Sequence, residues 1–371
     1  MAGLTIAQAC AAAFLCVLIP VGASSRTADH APMRSSDFEF RSDGRKLSGV
    51  IDEPVYGPAK ALVIFVHGSG MTNIRAEKPY LELRRRFADI GIASVMWDKP
   101  GRGRSEGRFD DNQSLEESAR EVVDAVAYLR AARTRGSDKV GIWATSRGTW
   151  VAPIAISRDR SIRFWISVSG ASGEDNKYYL MKSNLPLEGR SAAQTDRLMT
   201  EWKAGRRIFL QGGDYRAYLA ATEQLRADPA IFYLAGNLTG SKEDYETGQQ
   251  AYRKSPDRYR FDPETLSLMR VPDFARMLSG LDIDVLAIFG ERDTNVDWRE
   301  ARSLYQSTVG KNPRASLTVR TFPSCNHAMN VSRTGWIREV EGTPIASKPC
   351  HGYYETQIDW LRRHILRPPR K

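Results

Sequence analysis

The sequence predicts an α/β fold in which a mostly parallel sheet is covered by helices on both faces. Three observations carry the prediction. Strand-length runs recur at Ala61–Val66, Ser94–Asp98, Val140–Ala144, Arg163–Val168, Asp284–Phe289 and Ser316–Phe322. Most are apolar along nearly their whole length rather than at alternate positions, the mark of strands buried on both faces. Between them lie stretches with apolar residues at helical spacing, and strands alternating with helices imply parallel neighbours. Several runs also end abruptly in glycine-rich or small polar turns, where the chain leaves the sheet.

Taken in order, Phe38–Arg41 and Leu47–Glu53 alternate enough to be two antiparallel edge strands joined by Ser42-Asp43-Gly44. Ala61–Val66 is a buried strand running into His67-Gly68-Ser69-Gly70. Glu77–Ile90 carries Tyr80, Leu83, Phe87 and Ile90 at helical spacing. Ser94–Asp98 is a strand ending in Lys99-Pro-Gly-Arg-Gly-Arg-Ser105. Ser114–Ala132 is the clearest helix: Ser114 and Glu117 form a capping-box pattern, and Val122, Val123, Val126, Tyr128 and Leu129 supply its apolar face. After the strand Arg163–Val168 the pattern breaks. From about Ala171 to Gly280 no good buried strand appears, only helix-like stretches rich in aromatics, among them Tyr178, Trp202, Phe209, Tyr215, Tyr218, Phe232, Tyr245 and Tyr252. Packing among themselves is the ordinary role of such aromatics, lining a substrate wall the rarer one. Strand Asp284–Phe289, a helix over Trp298–Val309 and strand Ser316–Phe322 restore the alternation.

The turns carry the chemistry. Val140–Ala144 ends in Thr145-Ser146-Arg147-Gly148, and a segment able to start a helix follows. Strand, sharp turn with serine at its tip, then helix is the context a nucleophile elbow requires. Small residues at Ala144 and Gly148 let strand and helix approach closely around a strained serine. The pattern is Ala-x-Ser-x-Gly, one residue from the usual Gly-x-Ser-x-Gly. The turn at His67–Gly70 points backbone N–H groups into the space above the sheet. Such groups can hold the negative oxygen of a tetrahedral intermediate, at about 2.7–4 kcal/mol per donor. Two later runs end in Gly290-Glu-Arg-Asp293 and Pro323-Ser-Cys-Asn-His327, which sets Ser146, Asp293 and His327 in that order along the chain.

These motifs, with Asp98-Lys-Pro-Gly-Arg-Gly-Arg-Ser105, match in order and spacing those of the α/β-hydrolases, and the chain resembles their serine-esterase and serine-aminopeptidase-like branch from about Ser36 to its C-terminus, apart from a divergent middle. The resemblance implies an α/β-hydrolase fold with eight strands and a helical cap inserted after the sixth. It places the core at residues 36–171 and 281–368 and the cap at 172–280. It also implies a triad in which Ser146 attacks, His327 takes its proton and Asp293 fixes the histidine's tautomer. The backbone N–H groups of Ser69 and Arg147 become the oxyanion donors. Asp297 and Glu291 compete with Asp293, but Asp297 suits the cap of the helix starting near Trp298. Of the five histidines only His327 comes directly after the last strand, His351 lying in a loop beside Cys350 and His364 in the last helix; His67 belongs to the oxyanion turn, where its expected task is to hold that loop. Asp98 and the Gly101-Arg-Gly103 turn read as a structural loop beside that turn, against a rival reading of Arg102 or Arg104 as binders of a substrate carboxylate.

Composition bounds the rest. With 371 residues, 42% of them hydrophobic, the chain can bury a sizeable core as one domain with an insertion. Ala11–Val21 is strongly apolar and Val21-Gly22-Ala23 fits a small-residue cleavage site, which predicts a signal peptide over residues 1–23 and an exported, periplasmic or secreted protein. The n-region lacks Lys and Arg, and a retained membrane anchor is the competing reading; membrane contact is expected only in that case. Cleavage would leave Cys325 and Cys350 as a candidate disulfide beside His327. The net charge is +10, yet no basic stripe with nucleic-acid-binding context is present, so no nucleic-acid partner is expected. No residues have metal-ligand spacing, and Gly101-Arg-Gly103 lacks the third glycine of a dinucleotide loop, so neither metal nor cofactor is expected.

The leading expectation is hydrolysis of a small carboxylic ester through an acyl-enzyme. Serine at the elbow argues against dehalogenases and epoxide hydrolases of this fold, which use aspartate there. The same triad serves amides and short peptides, for which Glu174, Asp175 or Glu188 could bind a substrate amine, and it serves acyl transfer to an alcohol. A non-catalytic binding protein is least expected, because all three triad positions are filled.

Overall fold

The computed structural model describes residues 33–367 apart from 71, 111–112, 236–239, 255–259 and 340–347. The segment read as a signal peptide lies outside the described residues. Eight strands make one sheet: β1 (Met33–Ser42), β2 (Arg45–Pro54), β3 (Ala61–Val66), β4 (Ile92–Trp97), β5 (Val140–Thr145), β6 (Ile162–Val168), β7 (Asp284–Gly290) and β8 (Ser316–Phe322). Across the sheet they run β1-β2-β4-β3-β5-β6-β7-β8. β2 is antiparallel to both β1 and β4, and every other neighbouring pair is parallel. The edge hairpin is longer than alternation indicated, pairing from Met33 with Pro54 to Ser42 with Arg45.

The helices are α1 (Leu81–Asp89), α2 (Leu115–Ala131), α3 (Gly148–Arg158), α4 (Lys177–Asn184), α5 (Ala192–Leu210), α6 (Tyr215–Ala221), α7 (Glu223–Ala227), α8 (Pro229–Ala235), α9 (Lys242–Lys254), α10 (Phe274–Ser279), α11 (Trp298–Ser307) and α12 (Tyr353–His364). Alternate residues of the central strands feed two separate cores, because successive side chains point to opposite faces. Leu62, Ile64, Ile142, Ala144, Val285 and Ala287 pack with α2, α3, α10 and α11. Ala61, Val63, Phe65, Trp143, Leu286 and Ile288 pack with α1 and α12. Trp143 stacks on Phe65 with ring centroids 5.0 Å apart. Its indole N–H donates to Gln357 Oε1 at 2.8 Å, so the polar tip of a buried ring is satisfied. Trp143→Ala would cost about 3–5 kcal/mol.

Local chemistry explains where elements begin. Ser114 accepts from the Glu117 N–H at 3.1 Å and Glu117 accepts from the Ser114 N–H, closing the expected capping box of α2. The helix expected from Glu77 begins only at Leu81. Pro79 disfavours helical backbone at the residue before it, and Lys78 and Tyr80 both take left-handed backbone, with φ of 46° and 55°.

Among the described residues, 175–269 form one compact unit, and 33–174 together with 270–367 form the other. The first is helical, as the loss of strand pattern predicts. Its α5 packs on α6, α7 and α9. Tyr245 is buried against Phe209, Tyr215 and Tyr218, whereas Phe232 and Tyr233 are exposed. Helix α10, within the range read as cap, packs on α3 in the sheet-bearing unit. The chain enters and leaves the helical unit through a hydrogen-bonded neck. The Arg270 and Val271 N–H groups donate to Gly173 O at 2.8 and 3.0 Å, and the Asp175 N–H donates to Leu268 O at 2.7 Å. No described helix is long and apolar enough to cross a membrane.

Candidate active site

Parallel strands end on one side of a sheet, and the crevice beyond their carboxyl ends is where open α/β sheets hold ligands. The turns after β3, β5, β7 and β8 carry the residues singled out from sequence. Ser146 follows β5 in left-handed backbone, φ 51°, a strained conformation for a residue other than glycine. It is held there by its own N–H donating to Val168 O at 3.1 Å and by the Thr149 N–H and hydroxyl donating to its carbonyl at 2.8 and 2.7 Å. Gly148 is required next: a Cβ there would lie 2.3 Å from Val66 O, where β3 crosses beneath α3.

Asp293 is buried in the turn after β7. One carboxylate oxygen accepts from the Asn295 and Val296 N–H groups at 2.8 and 3.0 Å. The other lies 2.7 Å from His327 Nδ1. His327 Nε2 lies 3.0 Å from Ser146 Oγ. A carboxylate facing Nδ1 favours the proton there, leaving Nε2 to accept from the serine hydroxyl. Burial alone would lower the pKa of His327, but the charge and hydrogen bond of Asp293 outweigh it and raise the value above the ordinary imidazole one. Asp297 instead caps α11, accepting from the Arg299 and Glu300 N–H groups at 3.0 and 3.2 Å. Glu291 contributes its backbone carbonyl to the Trp298 indole at 3.1 Å.

The loops bearing Asp293 and His327 are fastened together. A Cβ on Gly290 would fall 2.4 Å from Cys325 O, so glycine permits the close approach. The Arg292 N–H donates to that same carbonyl at 2.9 Å. A disulfide joins Cys325 to Cys350, and the Cys350 N–H donates to Met329 O at 3.0 Å. The stretch Ser332–Glu339 buttresses the same loop. Glu339 accepts from the N–H groups of Arg333 and Thr334 and from the hydroxyls of Ser332 and Thr334. Burial would raise its pKa, yet these donors bring it down to about 2. Thr294 Oγ1 then donates to Gly335 O at 2.6 Å, linking the stretch to the residue after Asp293.

The turn at His67–Gly70 lies against the serine. A Cβ on Gly68 would be 3.1 Å from Ser146 Cβ, so Ser69 stands one residue beyond a close contact, and Arg147 follows the serine directly. His67 is buried; burial first, then the charge of Lys99, lowers its pKa to about 3 and keeps it neutral. Asp98 anchors the neighbouring loop by accepting from the Ile74 N–H at 2.8 Å, Arg75 Nη1 at 3.1 Å and the Arg104 N–H at 3.3 Å. Arg104 pairs with Asp37 at 2.6 Å, and the Arg102 guanidinium sits 5.7 Å from the centre of the Phe109 ring. Among the described residues no cluster of His, Cys, Asp and Glu could hold a metal.

Sequence reasoning missed three contributors. Lys99 donates to Gly68 O at 2.8 Å and to Gly70 O at 2.9 Å. Ser169 donates its hydroxyl to His327 O at 2.7 Å. Glu339 organises the stretch just described. A usable signal for the first two was position: each directly or nearly follows the carboxyl end of a central strand, where functional loops gather.

A family model described as serine aminopeptidase, S33, matches residues 57–330. The quorum-quenching protein AidA of Acinetobacter baumannii (strain MDR-ZJ06) is 26% identical over 123 residues, which are 33% of this chain and 40% of AidA. The match therefore spans less than half of that relative. Among solved structures, the α/β hydrolase GrgF from Penicillium sp. sh18 has a TM-score of 0.52 at 15% identity, covering 90% of this chain and 100% of GrgF. The esterase Pf2001 of Pyrococcus furiosus has a TM-score of 0.50 at 15% identity, covering 90% of this chain and 93% of that one. Likeness at such identity bears on the fold, which is that of the α/β-hydrolases.

Proposed function

The chain belongs to the serine aminopeptidase S33 family and is a serine hydrolase, and from that premise we propose that it is an exported enzyme cleaving a carboxylic ester through an acyl-enzyme on Ser146. Ser146 Oγ attacks the ester carbonyl while its proton passes to His327 Nε2. The N–H groups of Ser69 and Arg147 hold the oxyanion. As the intermediate collapses, the imidazolium gives its proton to the departing alcohol. Water then attacks the acyl-enzyme with His327 again as base, releasing the acid and restoring the serine. Asp293 keeps the imidazole in the accepting tautomer and balances its charge once it is protonated.

The observation that supports this reading is the unbroken hydrogen-bonded chain from Asp293 through His327 to Ser146, with the serine in strained left-handed backbone. Export is supported by the Cys325–Cys350 disulfide, since such bridges persist in oxidising compartments, and by the apolar stretch before Ala23. Cleavage of amides is a second reading, favoured by the family's description as aminopeptidases. Against it, Asp175 is buried and accepts from the Lys177 and Leu268 N–H groups at 3.1 and 3.3 Å, which occupies one of the acids considered for amine binding.

The test is a chain-length series of p-nitrophenyl esters run beside aminoacyl anilides, with Ser146→Ala as control. Esters are expected to turn over faster than anilides. Ser146→Ala should lose about 10⁴–10⁶ in kcat and keep its fold, and a fluorophosphonate should label the wild type at Ser146. Unimpaired turnover by Ser146→Ala would refute the assignment.

A further inference from the structure

We propose that Lys99 is a positioning residue for the oxyanion site, aiming the Ser69 N–H by holding the other end of the same peptide group. The inference rests on the hydrolase reading of Ser146. The carbonyl of Gly68 and the N–H of Ser69 belong to one peptide unit, which is planar and trans, so the two bonds point in opposite directions. Lys99 Nζ donates to Gly68 O at 2.8 Å, and fixing that oxygen fixes the direction of the Ser69 N–H. A second bond, to Gly70 O at 2.9 Å, stops the turn from rotating about the first. The turn also meets Ser146, because a Cβ on Gly68 would lie 3.1 Å from Ser146 Cβ. The turn is thus in contact with both the nucleophile and an ammonium group.

The ammonium also polarises the peptide. A cation on the carbonyl oxygen withdraws electron density from the amide and strengthens its N–H as a donor. Lys99 itself stands on a fixed base, since the preceding Asp98 is tied to Ile74, Arg75 and Arg104. Orientation of the donor matters most when charge develops on the substrate oxygen, so Lys99 acts on the transition state more than on ground-state binding.

The experiment compares wild type, Lys99→Met and Lys99→Arg in ester hydrolysis, with kcat expressed per site titrated by fluorophosphonate. Lys99→Met is expected to lower kcat about 10–100-fold while KM stays within about threefold, bounded by the 10²–10³ cost of deleting a donor outright. Lys99→Arg, which can still bond both carbonyls, should recover most of the loss. Binding of a trifluoromethyl ketone, which forms a tetrahedral adduct on the serine, should weaken in parallel with kcat. Should Lys99→Met fail to fold, Lys99→Gln takes its place, with kcat expected below that of Lys99→Arg. Wild-type kcat per titrated site in the Met or Gln variant overturns the role of Lys99 and leaves the triad standing. So does a loss confined to KM or to the titratable fraction. Full turnover by Ser146→Ala overturns the hydrolase reading and this inference with it.

Discussion

The hydroxyl of Ser169 donates to the backbone carbonyl of His327 at 2.7 Å. Ser169 follows β6 in left-handed backbone, φ 49°, and the residue before it, Val168, accepts from the Ser146 N–H at 3.1 Å. Two consecutive residues thus hold the main chain of Ser146 and of His327. Their spacing is set by one rigid strand end rather than by either loop.

Ser169→Ala should therefore loosen the histidine loop without touching any reacting atom. Leaving the His327 carbonyl unpaired costs about 1–3 kcal/mol of stability. If half of that, about 0.5–1.5 kcal/mol, is felt in the barrier through a looser Ser146 to His327 contact, kcat falls about two- to tenfold. A melting curve and a kcat measurement on Ser169→Ala check this; unchanged values in both would contradict it.

As the proposed base, His327 must be neutral to accept the serine proton, so activity should rise with pH. Because Asp293 raises the histidine's pKa, the midpoint should lie above the ordinary imidazole value. The stability linkage runs the other way. A group whose pKa is raised on folding stabilises the protein fully below its unfolded pKa, and that contribution is lost as pH climbs through the folded one. The protonated pair should be the more stable and the less active. A pH profile of kcat/KM beside a melting series over the same range reads both signs.

Asp293→Asn should cut kcat by about 10⁴ with the fold retained, since asparagine can favour the wrong tautomer of His327. It should also move the profile's midpoint down by removing the charge that raised it. Asp297→Asn is the matched control, because asparagine caps a helix nearly as well as aspartate. Wild-type activity in Asp293→Asn with loss in Asp297→Asn would transfer the acid's role to Asp297.

Reduction of the Cys325–Cys350 bridge, whose cysteines are 25 residues apart, should lower the melting temperature. The chain-entropy model gives about 3.5 kcal/mol for a loop of that size. Activity should fall too, because Cys325 O receives the Arg292 N–H and so ties the histidine loop to the turn bearing Asp293. Melting and turnover with and without reductant test the pair; insensitivity of both to a reductant that yields two free thiols would exclude the role.

Much of this site was legible because its signals are local. The capping box at Ser114, the glycines at 68, 148 and 290, and the serine between strand and helix are demands that a few neighbouring residues impose on one another. What escaped was settled across the sheet. Nothing near Lys99 in sequence says that its ammonium reaches the carbonyls of the turn after β3, since β3 and β4 become neighbours only in the folded sheet. Ser169 was hidden for another reason: left-handed backbone at a serine is disfavoured locally and is imposed by tertiary contacts. The early start assigned to α1 failed because helical spacing continues through Lys78-Pro79-Tyr80, where backbone conformation, which spacing does not register, breaks the helix.

The neck at Gly173 and Arg270 bears on how the chain is made. β6 and β7 lie side by side in the sheet, although the whole helical unit separates them along the chain. Synthesis at about 5–20 residues per second leaves β6 waiting many seconds for its partner, time in which a helical segment can fold first. Once the Arg270 and Val271 N–H groups have closed on Gly173 O, the ends of the insertion are already together and β7 emerges beside its place. The entropy of closing that long loop is then met by the insertion's own folding, and it grows only slowly with length in any case. The helical unit can therefore lengthen, shorten or be exchanged over evolutionary time while the register of the sheet, and the turns it carries, stay as they are.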